Sequence, residues 1–548
     1  MSGQDAPQGG GRAGAGGRGS RGGRPAGARS AAGRTGGGDR PRGDAADARR
    51  DAAGRQRGAA RAQGRAGRTS AAPGQRARTG DAARTAAYDT LRAVEGSDAY
   101  ANLVLPPMLR ERGVSGRDAG FATELAYGTL RLRGRYDAVL AIASSRPLDQ
   151  VDPPVLDVLR LGAHQLLGMR VPAHAAVAET VGLARDRVGA GAAQFVNAVL
   201  RRVSERTLDA WLDAIGTAAD PDGTDAVARL AVVGSHPAWV VRALREALVG
   251  SGRAADEVGA LLDADNAPPR VTLVARPGLV DRDVLAAQAG PDAEPGTLTP
   301  TAVVLPGGDP AALPAVRDGA AGVQDEGSQL VTLALAAAPL DGPDARWLDL
   351  CAGPGGKAAL LAALAADRGA RLVATEVQPH RTRLVRQSLR AVPADAVEDV
   401  RTADGREVGD LEPASYDRVL LDAPCTGLGA LRRRPESRWR RTPADLAQLT
   451  RLQRELLASA LAAVRPGGVV AYVTCSPHQA ETRLVVTDAV RAAARAGTQV
   501  EVLDAGAVVA GVAPAWAATA PAGDRRDVQL WPHVHGTDAM HLSLLRRL

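Results

Sequence analysis

From about residue 321 to residue 548 the chain alternates short apolar runs with helix-period segments, and no other feature narrows the fold so far. The candidate strands cover residues 346–350, 371–375, 400–402, 418–422, 469–474, 500–503 and 541–545. Runs that are apolar throughout suit strands covered on both faces, and helices between them demand crossover connections. The expected fold is therefore an α/β, Rossmann-like doubly wound sheet with a largely parallel core. Ligands of such sheets bind outside the carboxyl ends of the strands, so the residues just after each run are the ones to read for chemistry.

The upstream chain has a different texture. Apolar spacing of three and four recurs at 84–98, 117–130, 135–144, 152–168, 174–188 and 190–204, with breaks at Pro147, Pro153, Pro154 and Pro172. This predicts an all-helical domain over about 81–215. Residues 225–320 read as a small α+β module, with strands at 270–275 and 301–305 and a helix at 282–289. Residues 1–80 contain no Val, Leu, Ile, Phe, Trp or Tyr. Such a stretch cannot bury enough apolar surface to offset chain entropy and is expected to be disordered.

Charge follows this division. The formal net charge is +7, but residues 1–80 alone carry 17 Arg against 5 Asp, leaving −5 on the rest. The basic character therefore belongs to the tail. Its Arg/Gly stretches could touch RNA phosphates or could simply keep the chain soluble. Three Cys do not make a disulfide framework, and neither an apolar signal core nor an 18-residue apolar run is present. A soluble cytoplasmic protein, monomeric and without a membrane partner, is expected.

Three successive strand ends carry groups suited to a nucleoside-like ligand. Arg346-Trp-Leu-Asp-Leu-Cys-Ala-Gly-Pro-Gly-Gly-Lys357 runs from a strand into a helix. Its glycines let backbone pass close to a ligand, and the helix start offers free N–H groups. The loop lacks phosphate-loop spacing, and by itself it could equally be a tight connection. The next strand ends at Glu376, placed to accept two ribose hydroxyls, and the following one near Asp404, placed to accept from an adenine amino group. Lys357 is the only lysine in the chain.

All three cysteines fall at strand ends: Cys351 in the Gly-rich loop, Cys425 in Asp422-Ala-Pro-Cys-Thr, and Cys475 in Thr474-Cys-Ser-Pro. A buried cysteine is ordinarily a small apolar side chain. Metal binding is disfavoured, because no CxxC or nearby His pair supplies ligands. Methylation of cytosine at C5 offers another reading. That carbon becomes nucleophilic only after a thiolate adds to C6. The reaction then needs an acid near N3 and a base or second thiol for release. Cys475, Asp422 and Cys425 supply those groups.

At these residues the sequence resembles the RNA cytosine-5 methyltransferases of the Sun/RsmB type, which modify small-subunit ribosomal RNA. The matching segments are Val323-Gln-Asp-Glu-Gly-Ser-Gln329, Asp349 to Lys357, Asp422-Ala-Pro-Cys425 and Thr474-Cys-Ser-Pro477. The helical segment resembles the NusB fold through Val171-Pro-Ala-His-Ala-Ala-Val177 and Phe195-Val-Asn-Ala-Val-Leu-Arg201. The resemblance implies Cys475 as nucleophile and Cys425 as the group assisting release. It implies S-adenosylmethionine as cofactor, held by Cys351, Ala352, Gly353, Pro354, Gly355, Gly356, Lys357, Glu376, Arg381, Asp404 and Asp422. Cys351 would be structural within that loop. The Arg/Gly tail lies outside the family core, and His541 stands where an aromatic is commoner; no role is expected for it.

Leu431-Arg-Arg-Arg-Pro-Glu-Ser-Arg-Trp-Arg-Arg441 follows the Cys425 motif directly. Arg432, Arg433, Arg434, Arg438 and Trp439 are the candidates for holding RNA, by phosphate contact and stacking; the alternative is a solvated loop. Two other functions fit parts of the chain. A non-catalytic RNA-binding or antitermination factor would use the NusB-like helices, and a small-molecule methyltransferase would use the cofactor loop alone. The two strand-end cysteines disfavour the first, and the extra N-terminal modules the second.

Overall fold

The computed structural model describes residues 81–97, 99–521 and 523–548. The expected disorder of residues 1–80, and their suggested RNA contact, fall outside the described residues. The described chain opens with helices Ala82–Ser97, Ala101–Glu111, Gly116–Arg131, Arg133–Ala143, Pro153–Leu167, Ala173–Arg187 and Ala190–Val203. Their apolar faces meet in one core that includes Leu91, Leu125, Leu140, Leu159, Val196 and Leu200. Six of the seven match the periodicity. The helix Ala101–Glu111 does not announce itself because Pro106 and Pro107 lie inside it. Prolines remove backbone donors and disfavour a helical reading, but burial of Leu105 and Leu109 holds the segment in place.

Four more helices follow, Leu208–Ala219, Ala226–Val233, Ala238–Gly250 and Val258–Asn266. The stretch read as the start of a small α+β module is thus helical up to Asn266. Its helices are short and bounded by Gly and Pro, so no long period shows in the sequence. Val240, Leu244, Leu248, Leu261 and Leu262 pack with Leu428, Leu431 and Trp531 from the C-terminal half. Each such buried side chain contributes roughly 2 kcal/mol, so this cluster fixes the helices against the C-terminal half.

The small sheet begins at β1 (Thr272–Ala275) and continues with β2 (Glu294–Pro295), β3 (Ala302–Val304) and β4 (Ala321–Val323), in antiparallel order β2-β3-β1-β4. A helix, Arg282–Ala289, covers it. The segment Val323 to Gln329 fastens this module to the next. Buried Glu326 accepts the backbone N–H groups of Thr297, Leu298 and Thr299. Buried Gln329 accepts the Thr299 and Thr301 hydroxyls and donates to the carbonyls of Leu273 and Gln324.

The large sheet contains β5 (Arg346–Asp349), β6 (Arg371–Glu376), β7 (Val397–Thr402), β8 (Tyr416–Asp422), β9 (Val464–Thr474), β10 (Val500–Val502), β11 (Val528–Gln529) and β12 (His541–Arg547). Its order is β10-β12-β9-β8-β5-β6-β7, with β11 on β12. The five strands β5 to β9 pair in parallel, and β12 runs antiparallel to β9, β10 and β11. All seven expected strands are present. Helices Glu326–Ala337, Gly356–Asp367 and Ala505–Val512 cover one face, while Pro443–Ala463 and Arg483–Arg495 cover the other. The strand order reverses direction between β5 and β8. A doubly wound sheet opens its ligand crevice at that point, and the Gly-rich loop and the Cys425 loop both begin there.

Candidate active site

Asp422 closes β8 and Thr474 closes β9, its parallel neighbour, with Asp422 in register with Val473. The loops that follow carry Cys425 and Cys475, whose sulfurs lie 3.4 Å apart. Two further contacts hold the loops together: the Gly429 N–H donates to the Cys475 carbonyl at 2.8 Å, and the Thr426 and Ser476 hydroxyls meet at 3.1 Å. Both thiols are half-buried.

The two sulfurs titrate in opposite directions. Hydrogen bonding from Cys425 holds the Cys475 thiol below its ordinary value, against the opposing effects of burial and Asp422, with help from Lys357 and Arg434. The same hydrogen bond, with burial, pushes Cys425 well above its ordinary value. Of the two, Cys475 is the one favoured toward the thiolate, the form of a cysteine that attacks carbon.

Beside the sulfurs, the Lys357 ammonium donates to Asp422 Oδ2 at 2.9 Å. Burial alone would depress the lysine; the Asp422 carboxylate outweighs it and holds the lysine above its ordinary value. Asp349, at the end of β5, is buried. Burial, then the Asp422 charge, pushes it up to about 8. Cys351 is pushed well above the ordinary thiol value by burial and by Asp349, Asp422 and Glu376. It is thereby a poor nucleophile, in keeping with a structural place in the loop.

The Gly-rich loop turns under Glu376. Gly353 N–H and Gln378 N–H donate to its carboxylate at 3.1 and 2.9 Å, and Arg381 lies 3.5 Å from it while also donating to the Gly353 carbonyl. A side chain on Gly353 would put its Cβ 2.0 Å from Glu376 Oε2, so any larger residue would push the Glu376 carboxylate out of its place. At Gly356, which opens the helix Gly356–Asp367, the space beyond Cα is empty to 4 Å. Asp404 follows β7 and is held below its ordinary value chiefly by its hydrogen bonds to Arg406. The fold thus gathers the Gly-rich loop, Glu376, Asp404 and Asp422 at neighbouring strand ends, with Arg381 over the loop.

A sequence model of the 16S rRNA methyltransferase RsmB/F family matches residues 335–546, and one of the NusB family matches residues 81–205. The chain is 34% identical to the ribosomal RNA small subunit methyltransferase B of Pseudomonas putida over 407 residues, which are 73% of this chain and 87% of that one. It belongs to the RsmB/F family. It is also 51% identical to Rv1407 of Mycobacterium tuberculosis, a protein with a provisional methyltransferase name, over 84% of this chain and 96% of that one. Among solved structures, PH0851 superposes with a TM-score of 0.67 at 20% identity, over 85% of this chain and 98% of that chain, which supports the fold.

In this RsmB/F-family chain the Arg-rich loop departs from expectation. Arg438 has no exposed surface; it donates to the carbonyls of Arg131 and Ser235 and to Asn266 Oδ1. Arg432 and Arg433 bind Asp538, and Arg433 also binds Asp325 at 2.5 Å. Trp439 packs over Gly134. Reading Arg432 and Arg438 as RNA contacts is therefore corrected: both are buried, Arg438 docking the loop onto the helical half and Arg432 held by Asp325, Asp538 and the Gly536 carbonyl, out of reach of a phosphate. Arg433 is committed to two carboxylates. Arg434 alone of the five is exposed, with its guanidinium 5.1 Å from the centre of the Tyr100 ring.

Sequence reasoning missed Glu481. This fully buried carboxylate accepts the Thr426 N–H at 2.8 Å, the Thr426 hydroxyl at 2.5 Å and Gln453 Nε2 at 3.1 Å. Gln453 also donates to the Pro424 carbonyl. Glu481 therefore ties the Cys425 loop to the segment that follows Cys475. Its only sequence signal is an acid six residues beyond Cys475, which is indistinguishable from a surface residue without the fold. His541, for which no role was expected, is buried in register with Thr474 and is pushed down to about 4 by burial. It is a neutral core side chain. No group of three or more metal-binding side chains occurs among the described residues.

Proposed function

We propose that this rRNA methyltransferase moves the methyl group of S-adenosylmethionine to C5 of a cytosine in small-subunit rRNA, through a covalent bond between Cys475 and C6 of the base. The observation that carries the proposal is the sulfur pair at 3.4 Å, set beside the Lys357–Asp422 ion pair. The three charged strand ends, a glycine loop packed closely against Glu376, and a helix start with open space at Gly356 suit an adenosine with a charged amino-acid tail. Glu376 would take the ribose hydroxyls, Asp404 the adenine amino group, and residues 351–357 with Arg381 and Asp422 the remainder. When bound, the cofactor supplies an electrophilic methyl group on a sulfonium.

The protein's own groups then act in turn. The target base turns out of its stack to reach Cys475. The Cys475 thiolate forms the bond to C6, and the C5–C6 π electrons become available at C5. Near N3 the Lys357 ammonium, hydrogen-bonded to Asp422, holds the proton that Asp422 would relay to the base. After C5 has taken the methyl group, its proton must leave and the S–C6 bond must break to restore the double bond. Cys425 is suited to this stage. What holds its proton most strongly is its bond to Cys475, and that restraint weakens once the Cys475 sulfur is bonded to carbon. Arg434, exposed and close enough to lower the Cys475 thiol, is the candidate phosphate contact. An enzyme of ribosomal RNA would work where ribosomes assemble, in the cytoplasm.

The test is direct. Purified protein, S-adenosylmethionine and unmethylated 16S-type rRNA should yield 5-methylcytosine at a discrete position. A methylated base other than cytosine, or activity retained by Cys475→Ala, overturns the proposal.

A further inference from the structure

The loop that begins at Cys475 leads within four residues to Gln479, which lines a cleft of about 670 Å³ against the helix Ala238–Gly250. The Gln479 side chain donates to the Glu246 carbonyl at 3.3 Å, so cleft and catalytic loop share one wall. Arg242 and Arg245 line the same cleft, three residues apart on one face of the helix and both exposed. Most arginines of the described chain hold a carboxylate or a carbonyl; these two have no such partner among the described residues. Val227 and Val249 supply an apolar floor, and Glu246 is the one acid in the lining. At its Gly250 end the cleft is bounded by Arg483 and Arg525, which both donate to the Gly250 carbonyl.

We propose that this cleft is an RNA-binding subsite, in which Arg242 and Arg245 hold consecutive phosphates of the strand that carries the target cytosine. The inference rests on the function proposed above for its occupant and adds the path of the strand beyond the catalytic pocket. Two unpaired guanidinium forks at helical i, i+3 spacing match phosphate oxygens. An apolar floor accepts the ribose and base faces, and the side-chain carbonyl of Gln479 remains free for a base edge. The helix is fixed to the catalytic half by the Leu244 and Leu248 cluster, so the subsite keeps a constant reach from Cys475.

The experiment measures the affinity of the full chain for an unmethylated 16S-type rRNA fragment across a salt series. It compares wild type, R242E/R245E, R242Q/R245Q and the control R170E/R185E. The control reverses two arginines that are also exposed, on the helical domain. The cleft variants should lose at least tenfold in affinity, and R242Q/R245Q should flatten the plot of log affinity against log salt by about 1.4, two single-strand phosphate contacts' worth. Binding of S-adenosylmethionine, read by calorimetry, should stay unchanged; if R242E/R245E loses it through misfolding, the glutamine pair decides. An unchanged salt slope, or an equal loss in the control, overturns the subsite. Absence of 5-methylcytosine in the wild type, with the slope change intact, overturns the proposed reaction and leaves the subsite standing.

Discussion

Cys425 Sγ sits 3.4 Å from Cys475 Sγ, although the two residues are fifty positions apart and neither strand that precedes them points a thiol at the other. The contact is made by the loops after β8 and β9. It shifts the two thiols in opposite directions, Cys475 down and Cys425 up, and the separate roles proposed for them rest on that difference.

Loss of Cys475 should abolish methyl transfer. Loss of Cys425 should instead leave the protein joined to RNA, because addition to C6 survives and release does not. Cys425→Ala incubated with cofactor and rRNA is expected to give a slow band on a denaturing gel. A variant without that band would assign the release step to another group.

Thiolate reactivity should follow the hydrogen bond between the sulfurs. Cys475 lies below its ordinary value, with Cys425 the leading cause. The reactive form is the deprotonated one, so alkylation of Cys475 by iodoacetamide should rise with pH on a limb below that of a free thiol. Cys425→Ala removes the donor and should move the limb upward. Mass spectrometry of the Cys475 peptide across pH reads both limbs, and coincident limbs would refute the coupling.

Lys357→Met should cost about 2 kcal/mol of stability in a denaturant titration. Removing one partner of a dry pair costs roughly 3–5 kcal/mol, but Asp422 keeps 29% of its side chain exposed, which lowers the cost. Methyl transfer should fall at least a hundredfold. A variant with normal activity would remove the lysine from the site.

Glu481→Gln keeps the shape but sets an amide against the Thr426 donors. One unsatisfied buried donor costs about 1–3 kcal/mol. The effect should appear in kcat, lowered roughly tenfold, while S-adenosylmethionine binding stays normal, because Glu481 positions the Cys425 loop and is remote from the Gly-rich loop. A loss confined to cofactor binding would contradict this.

Arg434 and Arg438 should separate cleanly. Arg438→Ala empties a buried hub beside Asp265, whose carboxyl accepts no hydrogen bond and is pushed up to about 7 by burial. It should lower the midpoint of thermal unfolding by several degrees without changing the salt dependence of RNA affinity. Arg434→Ala should leave stability alone and flatten that dependence by about 0.7. The reverse pattern would restore Arg438 as an RNA contact.

Much of the catalytic half was legible in the chain. Its strands are apolar throughout and bounded by helix-period segments, so seven of eight could be placed; β11, two residues long, offers no period to detect. The strand ends named the cysteines, Glu376, Asp404 and Asp422, because a doubly wound sheet puts those positions on one edge whatever the details. The helices from Leu208 to Asn266 were harder, since short helices broken by Gly and Pro look like loops until their apolar faces are seen against Leu431 and Trp531.

Sequence determined which residues stand at the strand ends beside the crevice: three acids, one lysine and two cysteines, each identifiable from local pattern. Tertiary structure decided which of them interact and which arginines remain available. The Arg-rich loop shows why. Adjacent arginines in a sequence are equivalent, but folding buries Arg438 among carbonyls, pairs Arg432 and Arg433 with Asp538, and leaves Arg434 in solvent near Cys475. Burial and pairing depend on residues hundreds of positions away, such as Ser235 and Asn266, and local sequence holds no record of them. The same holds for Cys475, since only the fold brings the Cys425 sulfur to 3.4 Å from its own.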